Sequence, residues 1–493
     1  MGLAAPAATD LEAVIGIEIH VQLRTASKMF CACANDSADA PPNARTCPVC
    51  LGLPGALPVL NREAVRYVLA TGLAIEATIP PTTRWDRKSY FYPDLPKGYQ
   101  ISQYELPLAS AGRLVVETSR GEVEVGIRRA HLEEDTARLV HTRLDGRPVS
   151  LLDFDRSGAP LLEIVTEPVI RDAETARRYA EELRLLLVTI GASNAAMESG
   201  QMRVEANISL RPQGAEAFGT RVEVKNMNSF RSVERAIEHE IARQGEALRS
   251  GTPLIQETRG WDDERGRTYH MRTKESSEDY RYFPEPDLPP LRLDAAWLEE
   301  IRRSLPELPA SRRRRYREEL GLSAYDAAVL VADATASATF EAARATDPEL
   351  PSKKLANWVT GEVLRLARSG TPSEAGATHV EGAQLAALVR LVEDGRLSGS
   401  NAKEILARHA RSGRPVSELV SDAGLERISD ESALRSAVAQ VIATNPTATA
   451  DVRAGAEKAI GFLVGQVMKA TRGQADAATV QQLVREALVE GDE

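Results

Sequence analysis

Residues 14–24 alternate without a break. Ile15, Ile17, Ile19, Val21 and Leu23 fall on one side, and Gly16, Glu18, His20, Gln22 and Arg24 on the other. A period of two predicts a half-buried strand. Glu18 and His20, two residues apart, must share its wet face. The pattern returns at 203–211, where Arg203, Glu205, Asn207, Ser209 and Arg211 oppose Val204, Ala206, Ile208 and Leu210. It returns again at 221–225, with Arg221, Glu223 and Lys225 together, and the stretch 212–220 reads as a hairpin loop between them. A further acidic group is HLEED, residues 131–135. An antiparallel sheet with one solvated face explains the alternation. The mixture of Glu, His, Asn and Arg on the wet faces supports a second reading. If these strands are neighbours, Glu18, His20, Glu134, Glu205 and Glu223 converge into an oxygen-rich cluster with one imidazole, a donor set suited to Mg²⁺ or Mn²⁺. The pattern alone leaves both readings open.

Alternating and helical stretches mix over the first 290 residues or so. PEPDLPPL, residues 284–291, then interrupts regular structure with four prolines. Ala, Leu, Glu and Arg at helical spacing follow. A Gly/Ser/Thr-rich loop near 369–383 and a second linker near 410 divide them. The expected fold is α+β: an antiparallel-sheet domain over 1–291, an all-helical domain over 292–410 and a helical C-terminal tail domain over 411–493. The basic run SRRRRYREEL, 311–320, reads as the solvated face of a helix.

Length and composition narrow the class. The chain has 493 residues, 43% of them apolar and 27% charged, which fits a soluble protein of two to four domains. No apolar run approaches the roughly 18 residues that span a bilayer, and the N-terminus lacks the basic and apolar regions of a signal peptide. A cytoplasmic protein without a membrane partner is expected. A net charge of −10 argues against a general nucleic-acid coat but leaves room for a local basic patch. There is no G-x-x-x-x-G-K-[ST] and no G-x-S-x-G. Any ATP chemistry would therefore rest on a carboxylate-held metal. Within residues 84–108, Tyr90, Phe91, Tyr92, Tyr99 and Tyr104 interleave with Arg87, Lys88 and Lys97. That mixture suits base stacking with phosphate pairing, and equally a tyrosine-rich turn packed on a core.

All four cysteines lie within 31–50: Cys31 and Cys33 as C-x-C, then Cys47 and Cys50 as C-x-x-C. A redox C-x-x-C would open a thioredoxin-like helix, whereas here LGLPGALP follows. Disulfides suit the cytosol poorly. Four thiolates in two short pairs fit a tetrahedral zinc knot, and a filled tetrahedron makes that zinc structural.

Several long motifs carry a resemblance. VIGIEIHVQL, DRKSYFYPDLPKGYQISQYE, HLEEDTARL, DRSGAPLLEIVTEP, ANISLRP, EVKNMNSFRSVERAIEHE, ESSEDYRYFPEPDLPPL and EKAIGFLVGQVMKATRG resemble, in order, the motifs of the B subunit of the glutamyl/aspartyl-tRNA amidotransferases. The resemblance spans residue 14 to about 476 and implies a cradle-shaped sheet domain with kinase and transamidase activity. In that family ATP phosphorylates the side-chain carboxylate of glutamate or aspartate esterified to tRNA(Gln) or tRNA(Asn), and ammonia displaces the phosphate. The ammonia comes from glutamine by way of a separate amidase subunit. A small strap subunit completes a heterotrimer, and a non-discriminating aminoacyl-tRNA synthetase is a further partner.

The resemblance implies catalytic roles for Glu18, His20, Glu133, Glu134, Glu205 and Glu223. It implies Mg²⁺ or Mn²⁺ on Glu18, His20, Glu134, Glu205 and Glu223, with structural zinc on the cysteines. The aromatic and basic loop is expected to bind substrate or tRNA through Lys88, Tyr90, Tyr92, Lys97 and Tyr99, and the resemblance places the outer elbow of the tRNA on the tail, with Arg453, Lys458, Lys469 and Arg472 as its basic residues. Glu205 departs from the family's usual Asp, and Asp155 stands where Asn is commoner. The longer side chain puts direct ligation by Glu205 in doubt. Some members of the family lack the cysteines, which fits a local staple. The alternative is a non-catalytic, zinc-containing tRNA-binding scaffold.

Overall fold

A computed structural model describes residues 11–36, 40–273, 280–369, 380–424, 431–453, 457–471 and 474–489. The chain forms two compact units, residues 1–310 and 311–493. The architecture is α+β, with strands in the first unit and helices through the second.

The first unit is built on an eight-stranded sheet. Its strands are β1 (Leu11–Gln22), β2 (Ala109–Thr118), β3 (Gly121–Glu134), β4 (Pro160–Thr166), β5 (Met202–Pro212), β6 (Val222–Met227), β7 (Glu257–Asp262) and β8 (Arg267–Thr273). Across the sheet the order is β8-β7-β6-β5-β1-β4-β3-β2. All pairs are antiparallel except β6 with β7. The parallel pair arises because a helix, not a hairpin, joins its two strands, and a crossover returns the chain in the same direction. The long alternating strand falls near the centre, so its apolar row is covered completely. Ile15, Ile17, Ile19 and Val21 are at most 1% exposed.

Helices α1 (Arg62–Ala74), α2 (Ala173–Thr189) and α3 (Phe230–Ser250) cover the apolar face. Each starts at a side-chain cap, Asn61, Asp172 and Ser229 respectively, that accepts a first-turn N–H. The third ends at Gly251, whose φ of 71° is left-handed backbone that glycine tolerates best. The wet face is walled at one side by a small sheet in which Asp86–Ser89 pairs with both Tyr99–Ser102 and Phe283–Pro284.

The unit does not end at the proline-rich stretch 284–291. Leu291–Arg292 pairs with Thr82–Thr83, and α4 (Ala295–Ser304) sets Ile301 into the first core with Trp297 and Leu298 against it. Prolines at 284–291 interrupt regular structure there without separating the cores.

The second unit is helical. Within it Leu434, Val438, Leu463, Val467, Val480 and Val484 belong to a core of their own. Residues 399–412 are one helix closed by Gly413, so the expected linker near 410 begins at that cap. The basic run lies in the helix Pro309–Glu318, where Arg315 pairs with Glu341 and Tyr316 is buried. No helix among the described residues is long and apolar enough to cross a membrane.

Candidate functional site

Register brings the polar positions into one row. His131 of β3 pairs with Glu163 of β4, Glu163 with His20 of β1, and His20 with Arg203 of β5. Side chains directly opposite in an antiparallel sheet share a face and touch. Glu163 sits between two imidazoles, its Oε2 3.4 Å from Nε2 of His20 and 3.4 Å from Nε2 of His131. Glu133 bridges the same rings, at 3.7 Å from His20 and 3.8 Å from His131, and accepts a hydrogen bond from Ser102 at 3.1 Å. Glu18, two residues before His20, completes the group at 3.6 Å. These residues floor a cleft of about 920 Å³ whose walls include Lys88, Tyr104, Arg129, Tyr280 and Tyr282. Tyr104 and Tyr282 stack at 4.4 Å, and the Lys88 ammonium lies 4.9 Å from the Tyr280 ring.

Burial and like charge set the protonation states. Burial, then repulsion by Glu163, pushes the Glu18 carboxyl up to about 7. Burial alone would lower His20. The hydrogen bond and charge of Glu163, with Glu133 and Glu18, outweigh it and raise the imidazolium to about 9. Burial likewise opposes ionisation of Glu163, yet the charge of His131 and the hydrogen bond from His20 hold its carboxyl well below the usual range. The protein therefore keeps a concentrated anionic floor neutralised by protons on imidazole, which a divalent cation can replace.

The donor set fits such a cation. One donor atom each from Glu18, His20 and Glu163 lie within 4.8 Å of one another, and so do those of His131, Glu133 and Glu163. A cation with bonds of about 2.1 Å holds neighbouring ligand atoms about 3 Å apart, so either group can close on an ion by side-chain adjustment.

The floor continues on β5 and β6, but differently. Glu205 faces Glu18 in register, and Lys225 reaches Glu205 at 2.7 Å and Glu223 at 3.7 Å. Thr258 donates to Glu223 at 2.7 Å. A bulge opposite Val204–Ala206 puts Asn226 at φ 64° and turns the strand locally.

The other expected residues divide. Glu134 does not join the floor. Alternation along β3 sends Glu133 into the cleft and Glu134 to the opposite face, where it pairs with Lys97 and accepts from the Ile101 N–H at 3.0 Å. With Lys97 and Tyr99 it lines a second cavity of about 250 Å³, against Cys31 and Cys50. Of the aromatic-loop residues expected to hold tRNA, only Lys88 lines the cleft. Tyr90 and Tyr92 stack on each other outside it, their rings 6.0 Å apart. In the tail, Arg453 closes the helix Pro446–Arg453, and Lys458 and the exposed Lys469 lie on Glu457–Ala470. Arg472 lies outside the described residues. Gly461 and Gly465 face open space.

Sequence reasoning missed Glu163 and gave His131 no role. The available signal was a lone carboxylate in PLLEIVT, a strand otherwise apolar on both sides.

The cysteines form a second centre. Their four Sγ atoms lie within 4.8 Å of one another, with Cys47 and Cys50 at 3.8 Å. Zinc–sulfur bonds of about 2.3 Å make a tetrahedron with edges of about 3.8 Å, so the cluster fits a metal ion such as zinc. A hydrogen bond from the Cys31 thiol, aided by the Lys28 charge, lowers Cys50 to about 5, while burial raises Cys33 to about 11. Lys28 is wholly buried, donating to the carbonyls of Arg45 at 2.7 Å and Phe154 at 3.3 Å.

Two family models match the chain: the GatB/GatE catalytic domain over residues 13–299 and the GatB domain over 338–488. Among curated proteins, the chain is 48% identical to the B subunit of the aspartyl/glutamyl-tRNA(Asn/Gln) amidotransferase of Moorella thermoacetica, covering 97% of this chain and all of the relative. Proteins of the same name from a Roseiflexus species and an Anaeromyxobacter species are 48% and 49% identical, over 97% of this chain and 98% and 99% of theirs.

Proposed function

Since the chain belongs to the GatB family, as a B subunit of the aspartyl/glutamyl-tRNA amidotransferases, we propose that its cleft activates the side-chain carboxylate of glutamyl-tRNA(Gln) or aspartyl-tRNA(Asn) by ATP-dependent phosphorylation and then directs ammonia onto it. The observation that carries this reading is the row His131–Glu163–His20, flanked by Glu18 and Glu133, on the floor of an open cleft.

A carboxylate does not yield its oxygen to ammonia until that oxygen becomes a good leaving group, and phosphorylation makes it one. Mg²⁺ or Mn²⁺ held by Glu18, His20, Glu163 and Glu133 would neutralise charge on the phosphates during transfer. The protein's own groups do the rest. Lys88 and Arg129 add fixed positive charge at the walls, and Arg129 holds Glu163 at 3.5 Å. The stacked tyrosines offer a π-face for a base. Ser102 fixes the Glu133 rotamer, so the donor set is positioned before substrate arrives. The cysteine cluster takes zinc in this reading, and braces the loop after β1. The chain would work with an amidase subunit that supplies ammonia, a small strap subunit, and a tRNA held at its elbow by the tail.

The test is reconstitution. The chain, both partner subunits, ATP, Mg²⁺ and glutamine should convert misacylated tRNA(Gln), tRNA(Asn) or both into the amidated form, with ATP cleavage dependent on that tRNA. A scaffold subunit would bind the tRNA and cleave no ATP, and that result would overturn the reading.

Cation binding should depend steeply on pH. In the cation-free protein His20 holds its proton up to about pH 9 and Glu18 up to about 7. Both must be released to a cation. The logarithm of the Mn²⁺ affinity should therefore rise by about one per pH unit between 7 and 9, and more steeply below 7. His20→Ala should remove most of the upper slope. The same His20 shift, from 6.5 to about 9, stabilises the cation-free fold below pH 6.5, and that contribution is lost as pH rises through 9. Calorimetry across this range, with and without Mn²⁺, reads both effects.

A further inference from the structure

The floor of the cleft has two unlike halves. On the β3–β4–β1 side, carboxylates meet imidazoles, whose ring nitrogens can themselves ligate a cation. On the β5–β6 side, Glu205 and Glu223 meet an ammonium that cannot ligate a metal while protonated. The difference shows in the geometry. Among the described residues, the groups compact enough to hold a cation in the cleft are Glu18–His20–Glu163 and His131–Glu133–Glu163, and neither includes Glu205 or Glu223. Lys225 lies between those two carboxylates, 2.7 Å from one and 3.7 Å from the other, with its side chain only 29% exposed.

This arrangement solves a problem the sheet creates. Glu18 and Glu205 are directly opposite in register, and like charges so placed repel. Glu223 adds a third carboxylate, nine-tenths buried, on the next strand. The Lys225 ammonium meets Glu205 and Glu223 directly, beside the Glu18 position that Glu205 faces in register. The bulge at Asn226 lies immediately beside Lys225 and alters the local twist of β6 where Lys225 leaves it. An ammonium on a four-carbon stem is also a mobile point charge with three donors, well suited to move from carboxylate to phosphate oxygen.

We propose that Lys225 is a resident counter-ion of the cleft: its ammonium occupies the Glu205–Glu223 side in the free protein, confines the first divalent cation to the histidine side, and swings to a nucleotide phosphate when one arrives. The phosphate thereby exposes Glu205 and Glu223 to a second cation. Loading becomes ordered, and the full charge-neutralising set assembles only around bound nucleotide. The longer Glu205 side chain serves this arrangement, because it reaches Lys225 directly. Lys225 is thus a phosphate-binding residue as well as a positioning one. The proposal rests on the phosphoryl-transfer reading of the cleft, but its test does not require turnover.

Mn²⁺ binding to the full-length, zinc-replete chain, followed by electron paramagnetic resonance without nucleotide, should give one cleft ion for the wild type. Adding a non-hydrolysable ATP analogue should bring in a second. Lys225→Met should bind two ions without nucleotide, the second at least tenfold more tightly than in the wild type. It should also bind the metal-free analogue about tenfold more weakly. Lys225→Arg, which keeps the charge, should behave as the wild type in the free protein, and its thermal melt controls for folding. Two equal Mn²⁺ sites in the nucleotide-free wild type would overturn the proposal. So would an unchanged Mn²⁺ stoichiometry or unchanged analogue affinity in Lys225→Met. A failure of tRNA amidation with these isotherms as expected would overturn the functional reading and leave the role of Lys225 standing.

Discussion

Glu163→Gln should reduce tRNA-dependent ATP cleavage by roughly a thousandfold, a loss of about 4 kcal/mol of transition-state stabilisation. The substitution is isosteric, so β4 and its neighbours keep their packing. What disappears is the carboxylate nearest to both imidazoles, at 3.4 Å from each, against 3.7 and 3.8 Å for Glu133. An amide offers one neutral oxygen where a cation needs an anionic ligand. Both compact donor groups in the cleft include Glu163, so a single change damages each of them. Changing Glu18 or Glu133 would spare one. The effect on Glu163 should therefore exceed that on either neighbour, and Mn²⁺ affinity should fall with activity. Glu163 is also ionised well below the usual carboxylate range, so it stabilises the cation-free fold above about pH 4.5, and that contribution is lost as pH falls through its folded value. The variant should consequently show a shallower acid limb in its stability profile. Retention of tRNA binding and of the circular dichroism spectrum would show that the fold persists. Activity within tenfold of wild type would remove Glu163 from the centre of the site.

The position of that residue shows what a sequence makes legible. Glu18 and His20 are readable because β1 alternates, and alternation assigns faces without knowledge of neighbours. Glu205 and Glu223 are readable for the same reason. Glu163 lies in a strand with no such contrast. Leu161 lines the cleft beside it, while Leu162 and Ile164 lie in the core, so the chain is apolar on both faces and the lone acid looks incidental. Only the register with His20 and His131 gives it a role, and register is a property of three strands together. The pair Glu133–Glu134 makes the same point. Adjacent carboxylates must point to opposite faces, and HLEED does not say which faces the cleft. Ser102 and Lys97, each from the small wall sheet's side of the chain, identify the two faces. The unit boundary falls beyond its expected place for a different reason. Prolines report where regular hydrogen bonding stops, whereas a unit ends where its core stops, and Ile301 extends the first core beyond them.

Removing the metal-binding capacity of the cysteine cluster should lower the melting temperature of the first unit by about 6 °C and reduce activity with it. Structural zinc contributes on the order of 10 kcal/mol in peptides that cannot fold without it. Here the loop is also held by protein contacts, so a smaller share, about 4 kcal/mol, is expected, at roughly 1.5 °C per kcal/mol for a unit of this size. Those contacts explain why activity should follow stability. The Arg45 N–H donates to Asp155 at 2.5 Å, Ser157 donates to the Cys50 carbonyl at 3.0 Å, and Lys28 ties the carbonyls of Arg45 and Phe154 together. Gly158, at φ 82°, leaves room for the Cys50 Cβ, 3.4 Å from where its own Cβ would stand. The segment 153–159 thus rests on the cysteine loop and leads directly into β4, which carries Glu163. Without the loop's staple, the start of β4 loses its support and the imidazole-bridging carboxylate loses its fixed position. Elemental analysis should find one zinc per chain in the wild type and none in Cys50→Ser, whose melt should fall by the amount stated. A wild-type chain purified free of zinc, yet as stable and active as the zinc-loaded form, would show that the four thiols brace the loop without a metal.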